Sequence, residues 1–318
     1  IISTIRRFME RKDFIEVETP ILVSVAAGAM AKPFITKHNA LNRVLYLRIA
    51  TELNLKKLIV GGVEKVFELG RIFRNEGIDH LHNPEFTTLE SYEAYSDYND
   101  VMDMVEEMVA SVSKEINGST LINIDDEVID LTPPWVRLDL RSTIKKYSGI
   151  DFVKSRTPEE LEREMQSKGI HVEQGSNWGR MLDKVISSCV EPNLRQPCFL
   201  VDYPIEMSPL AKRKEGRNDI VERFEAFVCG WELANAFTEL NDPIDQRKRL
   251  EDQEKLRKDF GDDELDRLEE DFLVAIEHGM PPTGGLGLGV DRLAMIISGA
   301  KSIRDVVIFP QLKTLKDE

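Results

Sequence analysis

The first twelve residues, "IISTIRRFMERK", set Ile2, Ile5 and Phe8 at helical spacing with charges between them, which predicts an amphipathic helix. "DFIEVETPIL" then alternates with period two and stops at Pro20, as a strand does. "ALNRVLYLRIATELNLKKLIVGG" predicts a strand followed by a helix, with Thr51 placed to cap it and Gly61 and Gly62 to end it. "EKVFELGRIFRN" and "EFTTLESYEAYS" predict two strands joined by a long loop, and "DYNDVMDMVEEMVASVSKEI" an amphipathic helix capped by Asp97 or Asn99. Over 133–200 the pattern changes to charged, mostly helical text without alternating strands, as an insertion would read. Strands return in "PCFLVDYP" and "ERFEAFVCGWELANAFTEL". The charge run of "DPIDQRKRLEDQEKLRKDF" predicts a solvated helix, "EEDFLVAIEHG" a further helix, and "PPTGGLGLGVDRLAMIISGA" a glycine-rich strand and helix. The expected organisation is α+β, an antiparallel sheet flanked by helices, in three parts: 1–132, the helical insertion 133–200, and 201–318.

Composition adds limits. With 42% hydrophobic and 31% charged residues, the 318-residue chain can bury a sizeable core. No apolar run approaches the ~18–20 residues of a membrane span. A net charge of −15 excludes a surface that coats nucleic acid broadly, while leaving room for one local mouth. Cys189, Cys198 and Cys229 have no metal-ligand spacing and read as reduced thiols of a cytosolic protein. The chain starts at Ile1 without a signal-peptide pattern and reads as a piece of a longer protein.

Candidate chemistry concentrates around "FRNEGIDHLHNPEF". On the strand that follows, Phe86, Thr88, Glu90 and Tyr92 share one face and Leu89 takes the other. A ring, a carboxylate and a phenol make a poor core face. They suit a floor on which a flat ring stacks and an ammonium group is held further along. Arg74 and Glu76, again two apart, aim at the same pocket, and His82 at the loop tip can reach a distal phosphate. "GGLGLGVDRL" lacks the G-x-G-x-x-G order of a dinucleotide fingerprint. Gly285, Gly287 and Gly289 alternating with Leu286 and Leu288 predict a strand with one bare face, and Arg292 lies where the next helix begins. If Cys229 and Gly230 form a two-residue turn, Phe227 faces Glu232, so Glu225 and Glu232 share a face and suit Mg²⁺ on a polyphosphate. Asn235 and Glu239 then have the opposite parity, and only a bulge would bring them in.

These segments together resemble the catalytic domain of class II lysyl-tRNA synthetases over almost the whole chain. "FRNEGIDHLHNPEFTTLESYEAYSDY" is similar to the family's second signature motif, "GLGLGVDRL" to the third, and "DFIEVETPIL" with Pro20 to the first, which forms a homodimer interface. The resemblance implies roles residue by residue. Arg74 would hold the ATP α-phosphate, Glu76 the adenine amino group and Phe86 the adenine ring. His82 and Arg292 would meet distal phosphates, with Asn83 and Gly289 lining the same nucleotide site. Glu225 and Glu232 would bind Mg²⁺. Glu90, Tyr92 and Glu239 would surround the lysine ε-ammonium, and Gly28, Glu52 and Asn235 its α-amino and carboxylate end. The implied reaction forms lysyl-adenylate from L-lysine and ATP, then transfers lysine to the 3′ end of tRNA(Lys) in the cytoplasm. An anticodon-binding OB-fold domain is expected before Ile1. One alternative is the truncated paralogue that modifies elongation factor P, which carries Ala where Gly287 stands here. The other is a synthetase-like regulatory protein without catalysis, which usually loses the arginines and carboxylates retained here.

Overall fold

The computed structural model describes residues 1–318 apart from Met30, Asp125, Gln174, 261–267 and 312–318. The chain begins with α1 (Ile2–Arg11), β1 (Ile15–Glu16), β2 (Leu22–Val23), β3 (Ile35–His38), β4 (Arg43–Leu47), α2 (Glu52–Val60), β5 (Lys65–Phe73) and β6 (Glu85–Ala94). It continues with α3 (Tyr98–Asn117), β7 (Leu121–Ile124), β8 (Glu127–Asp130), β9 (Val136–Asp139), α4 (Leu140–Ser148), α5 (Pro158–Ser167), α6 (Trp178–Val185) and β10 (Cys198–Val201). The last part holds β11 (Arg223–Val228), β12 (Trp231–Thr238), α7 (Pro243–Phe260), α8 (Glu270–Glu277), β13 (Thr283–Gly289) and α9 (Val290–Ser298).

Eight strands form one sheet in the order β1-β5-β6-β13-β12-β11-β10-β9. Neighbours from β5 to β10 pair antiparallel, as expected. The two edge pairs, β1 with β5 and β9 with β10, are parallel, so the sheet is mixed. Each parallel pair is separated in sequence by a helix-bearing excursion, the long crossover such a pair needs.

Alternation sorts the two faces. Leu89, Leu288, Ala234 and Ala226 form one transverse row on the inner face, with Leu286, Ala236 and Phe224 in the next. They pack on Ile5 and Met9 of α1, Val105 and Met108 of α3, and Leu293 and Ile296 of α9 in the main core. Each such side chain, once buried, contributes about 1.5–3 kcal/mol. The opposite face carries Glu90, Gly287, Asn235 and Glu225 in one row and Tyr92, Gly285, Phe237 and Arg223 in the next.

The bulge that the carboxylate hairpin needs is present. Cys229 and Gly230 turn the chain with φ of 58° and 79°, and Phe227 pairs with Glu232. Ala226 then pairs with Ala234, leaving Leu233 as the extra residue. That insertion shifts the parity, so Asn235 faces Glu225 across the pair.

Four local expectations differ from the structure. The strand in "DFIEVETPIL" shrinks to Ile15–Glu16, because only those residues find a partner on β5. The stretch read as strand-free holds β9, whose sequence VRLD is too short and polar to stand out. The helices α4, α5 and α6 beside it pack with Cys198, Leu200 and Phe227 in a second core. Thr51 does not cap α2 through its side chain, because its backbone is α-helical (φ −104°, ψ −7°). Finally, α7 is not solvated all round: Gln246, Arg249, Leu250 and Gln253 are buried. Gln246 Nε2 donates to Pro209 O (3.1 Å) and Arg249 Nη1 to Ala211 O (2.8 Å), so the helix braces residues 208–211.

Candidate active site

The polar face of the sheet opens into a cleft of about 410 Å³. Gly28, Glu52, Arg74, Glu76, His82, Asn83, Phe86, Glu90, Tyr92, Glu225, Glu232, Asn235, Glu239, Gly289 and Arg292 all line it. Thus every residue singled out from the sequence reaches one cavity, and the parity change at Leu233 is what admits Asn235 and Glu239.

The cleft has two ends. At the open end, β5 and β6 lead into the loop that carries Glu76 and His82, both exposed. The Arg74 guanidinium lies 5.3 Å above the Phe86 ring. Its Nε is buried without a hydrogen-bond partner among the described residues. Asp79 accepts from the backbone N–H groups of Leu81 and His82 (2.7 and 2.9 Å), which shapes the loop tip. It also sits 2.8 Å from His82 Nδ1. With the proton on Nδ1, His82 Nε2 accepts from Arg292 Nη2 at 3.3 Å. Arg292, in the first turn of α9, also donates to Glu232 O (2.7 Å) and Glu232 Oε2 (3.4 Å). Asn83 is buried and braces the loop by donating to Glu85 O at 2.6 Å. Asp291 accepts from Thr87 N at 2.7 Å, tying α9 to β6. Two arginines, an imidazole and a ring face thus gather where an anionic, flat ligand would be held.

The inner end is closed by carboxylates. Glu68 and Glu90 are neighbours across β5 and β6, yet their surroundings differ. Glu68 is buried against Arg48 and also accepts from Thr19 N (2.9 Å) and Thr19 Oγ1 (2.7 Å), a satisfied structural pair. Glu90 accepts from Thr51 N at 3.0 Å and has no salt-bridge cation among the described residues. Burial pushes its carboxyl up to about 7, and Glu52 adds repulsion, against the pull of the Thr51 N–H and Arg74. Tyr92 is buried beside it. Glu239 is wholly buried, pairs with Lys56 through Oε2, and keeps Oε1 without a hydrogen-bond partner among the described residues. This end therefore sets three carboxyl groups, Glu52, Glu90 and Glu239, against the ammonium of Lys56, and burial raises the carboxyls of Glu90 and Glu239.

Between the ends lie Glu225 and Glu232. Glu225 accepts from Tyr203 Oη and Arg223 Nη2, each at 2.6 Å. Burial raises its carboxyl to about 7 and Glu232 adds to the rise, while Arg223 and Tyr203 oppose it. No cluster of three or more His, Cys, Asp or Glu is in place to hold a metal by itself among the described residues. Arg223, which also donates to Asn235 Oδ1 at 3.0 Å, escaped the sequence reading. Lys56 did too, although Glu52 and Lys56, one turn apart on α2, were visible as a pair. Their spacing suggests a surface ion pair, and only burial reveals otherwise.

Comparison with known proteins shows the family. The family model described as tRNA synthetases class II (D, K and N) matches residues 1–313. A lysine–tRNA ligase of Moorella thermoacetica is 54% identical over 313 residues, covering 98% of this chain and 64% of that protein. One from Dehalococcoides mccartyi is 53% identical over 317 residues, covering 100% of this chain and 64% of its own length. One from Nostoc punctiforme is 54% identical, with 98% and 56% covered. The chain thus spans under two thirds of the length of these relatives. The sheet face bared by alternating glycines, the loop that gathers Arg74 and His82, and Arg292 at the head of α9 all lie within the matched residues 1–313, and the chain belongs to the class II tRNA synthetases of the D, K and N group.

Proposed function

We propose that the protein activates L-lysine with ATP and transfers it to the 3′ end of tRNA(Lys). The observation that carries this reading is the inner end of the cleft, where Glu52, Glu90 and Glu239 meet Tyr92. Such an end accepts ammonium groups and repels the side chain of aspartate. Relatives named lysine–tRNA ligase at 52–54% identity support the same choice. In the open end, Phe86 and Arg292 flank adenine, Glu76 takes its amino group, Arg74 takes the α-phosphate, and His82 with Arg292 takes the distal phosphates. Asn83 and Gly289 complete that wall. Gly28, Glu52 and Asn235 hold the amino acid's α-amino and carboxylate end.

The lysine carboxylate oxygen then attacks the α-phosphorus, the bond to the bridging oxygen breaks, and pyrophosphate leaves. The terminal ribose hydroxyl of tRNA next attacks the lysyl carbonyl and releases AMP. The attacking carboxylate is already ionised, so positioning and charge neutralisation carry the first step. The donor set of Glu225 and Glu232, two mutually repelling carboxylates on one wall, fits Mg²⁺ completed by phosphate oxygens and water. When bound, the ion would neutralise charge on the polyphosphate. Ile15, Ile21, Leu22, Ile35 and Val44 are exposed around β1 to β4, which supports a homodimer through this first-motif region. No helix among the described residues is long and apolar enough to cross a membrane. The three cysteines are free thiols, which suits the cytoplasm. Trapping lysyl hydroxamate from the full-length protein with ATP, and charging of tRNA(Lys), test the two steps separately.

Two expectations arise from Glu90. Burial pushes its carboxyl up to about 7, and only the ionised form attracts an ammonium group. Lysine affinity should therefore fall as pH drops below about 7, by up to tenfold per unit, and level off above it. Calorimetric titration with lysine across that range checks the slope. Glu90→Gln should raise the lysine KM about 10–100-fold, the loss of a charged hydrogen bond. The ATP KM should stay within about twofold, since Glu90 faces the other end. A lysine KM that does not move would remove Glu90 from the site.

A further inference from the structure

Lys56 is wholly buried on α2, one layer behind the cleft wall. Its Nζ lies 2.5 Å from Glu52 Oε1 and contacts Glu239 Oε2. Three rings surround the ammonium: Phe237 at 5.4 Å, Phe272 at 5.8 Å and Tyr92 at 5.9 Å to their centroids. Ring faces and carboxylates together make an aromatic cage of the kind that holds a cation in the absence of water. The charged and titratable groups facing it are Glu52 from α2, Glu239 after β12, and Tyr92 from β6, with Glu90 beyond; α8 presents Phe272.

Charge counting gives the cage a meaning. Three carboxylates, Glu52, Glu90 and Glu239, border the inner end, and Lys56 supplies one positive charge against them. Lysine brings two ammonium groups and one carboxylate, and its ammonium groups would favour the ionised forms of the carboxyls that burial otherwise raises. The oxygens are divided accordingly. Glu239 turns Oε2 to Lys56, while Oε1 is buried without a hydrogen-bond partner among the described residues. We propose that Lys56 is a positioning and specificity-determining residue: a resident countercharge that orients the Glu52 and Glu239 carboxylates and offsets their charge so that the pocket takes an amino acid with two ammonium groups.

Burial alone lowers the ammonium of Lys56, yet Glu239 and Glu52 hold it above its ordinary value, so it stays charged. Burial pushes the carboxyl of Glu239 well up, with Glu52 and Glu90 adding to it, and Lys56 is the group that pulls it back. Without Lys56, the crowded Glu239 carboxyl would hold a proton more tightly still. Lysine would then have to displace that proton, which costs affinity at neutral pH and not at high pH. A lysine serving only to fill the core would leave no such signature.

The inference rests on the reading of the cleft as a lysine and ATP site. Its test is lysine-dependent exchange of pyrophosphate into ATP, measured against pH on the full-length protein and on Lys56→Met, Lys56→Gln and Lys56→Arg. Lys56→Gln keeps hydrogen-bonding capacity without charge and serves if the methionine variant does not fold, with circular dichroism reporting the fold of each. Removing the charge should move the acidic limb of the lysine kcat/KM profile up by about one pH unit or more, raising the lysine KM about tenfold at neutral pH. The ATP KM should not change, and Lys56→Arg should return the limb toward the parent. A folded Lys56→Gln with an unmoved limb, or an arginine variant displaced as far as the glutamine one, overturns the role of Lys56 alone. A parent protein without lysine-dependent exchange overturns the underlying reading, and the inference with it.

Discussion

Replacing Arg74 by alanine is expected to slow adenylate formation about 10²–10³-fold, the range seen when one preorganised donor to a developing charge is lost. The guanidinium stands at the junction of the two ends of the cleft, over Phe86 and within electrostatic reach of Glu90. Its Nε is buried and without a hydrogen-bond partner among the described residues, so the side chain carries donor capacity that the fold itself does not use. In the proposed reaction that capacity meets the α-phosphate while negative charge shifts onto the leaving pyrophosphate. The loss should fall on kcat more than on the lysine KM. Stability should change little, because the half-buried side chain stacks over Phe86 but has no hydrogen-bond partner at Nε among the described residues. Single-turnover formation of the adenylate, with a thermal melt of each protein, separates these effects. A variant as fast as the parent would dissociate Arg74 from the chemistry.

Gly285→Ala should weaken lysine use about 10²-fold, the scale of a misplacement of about 1 Å. Gly285 lies between Tyr92 on β6 and Phe237 on β12, with the Glu239 carboxylate folded over it. A Cβ there would overlap Glu239 Oε1 and stand 2.7 Å from Tyr92 Cε1. Both groups belong to the inner end, so the methyl displaces the atoms proposed to receive the ε-ammonium. Gly287 makes the contrast, since among the described residues a Cβ there meets only Asn235 O, at 3.7 Å. Gly287→Ala should therefore fold normally and alter the pocket's shape rather than its carboxylates. Comparing lysine KM for the two variants checks the difference. Equal effects would mean that the glycines matter only as small residues.

Much of this site could be read from alternation alone. Period-two spacing put Phe86, Glu90 and Tyr92 on one face and Leu89 on the other, and the glycine–leucine alternation of β13 did the same for its bare side. Those patterns survive because each strand has one face in the core and one at the cleft. The hairpin was harder. Glu225 and Asn235 share a face only through the extra Leu233, and an inserted apolar residue in an apolar strand leaves no mark on periodicity. The edge strand β9 was missed because it pairs through its backbone while its side chains are largely exposed. Arg249 and Lys56 were missed for a common reason. Charged residues on a helix read as solvated, whereas here tertiary partners on other elements bury them: Ala211 O for Arg249, and Glu239 with three rings for Lys56. Burial of charge is a property of the assembled fold, and it is where the chemistry of this pocket lies.

In the proposed reaction the inner end selects a cationic side chain while the open end holds ATP. This selection is tested most directly by pyrophosphate exchange into ATP with L-lysine, norleucine, aspartate and asparagine supplied one at a time. The structure predicts exchange with lysine and a loss of about 10⁴–10⁵ in kcat/KM for norleucine, which leaves the buried carboxylates unpaired. Aspartate and asparagine should support none. Exchange driven by aspartate or asparagine, or norleucine used as well as lysine, would contradict the account.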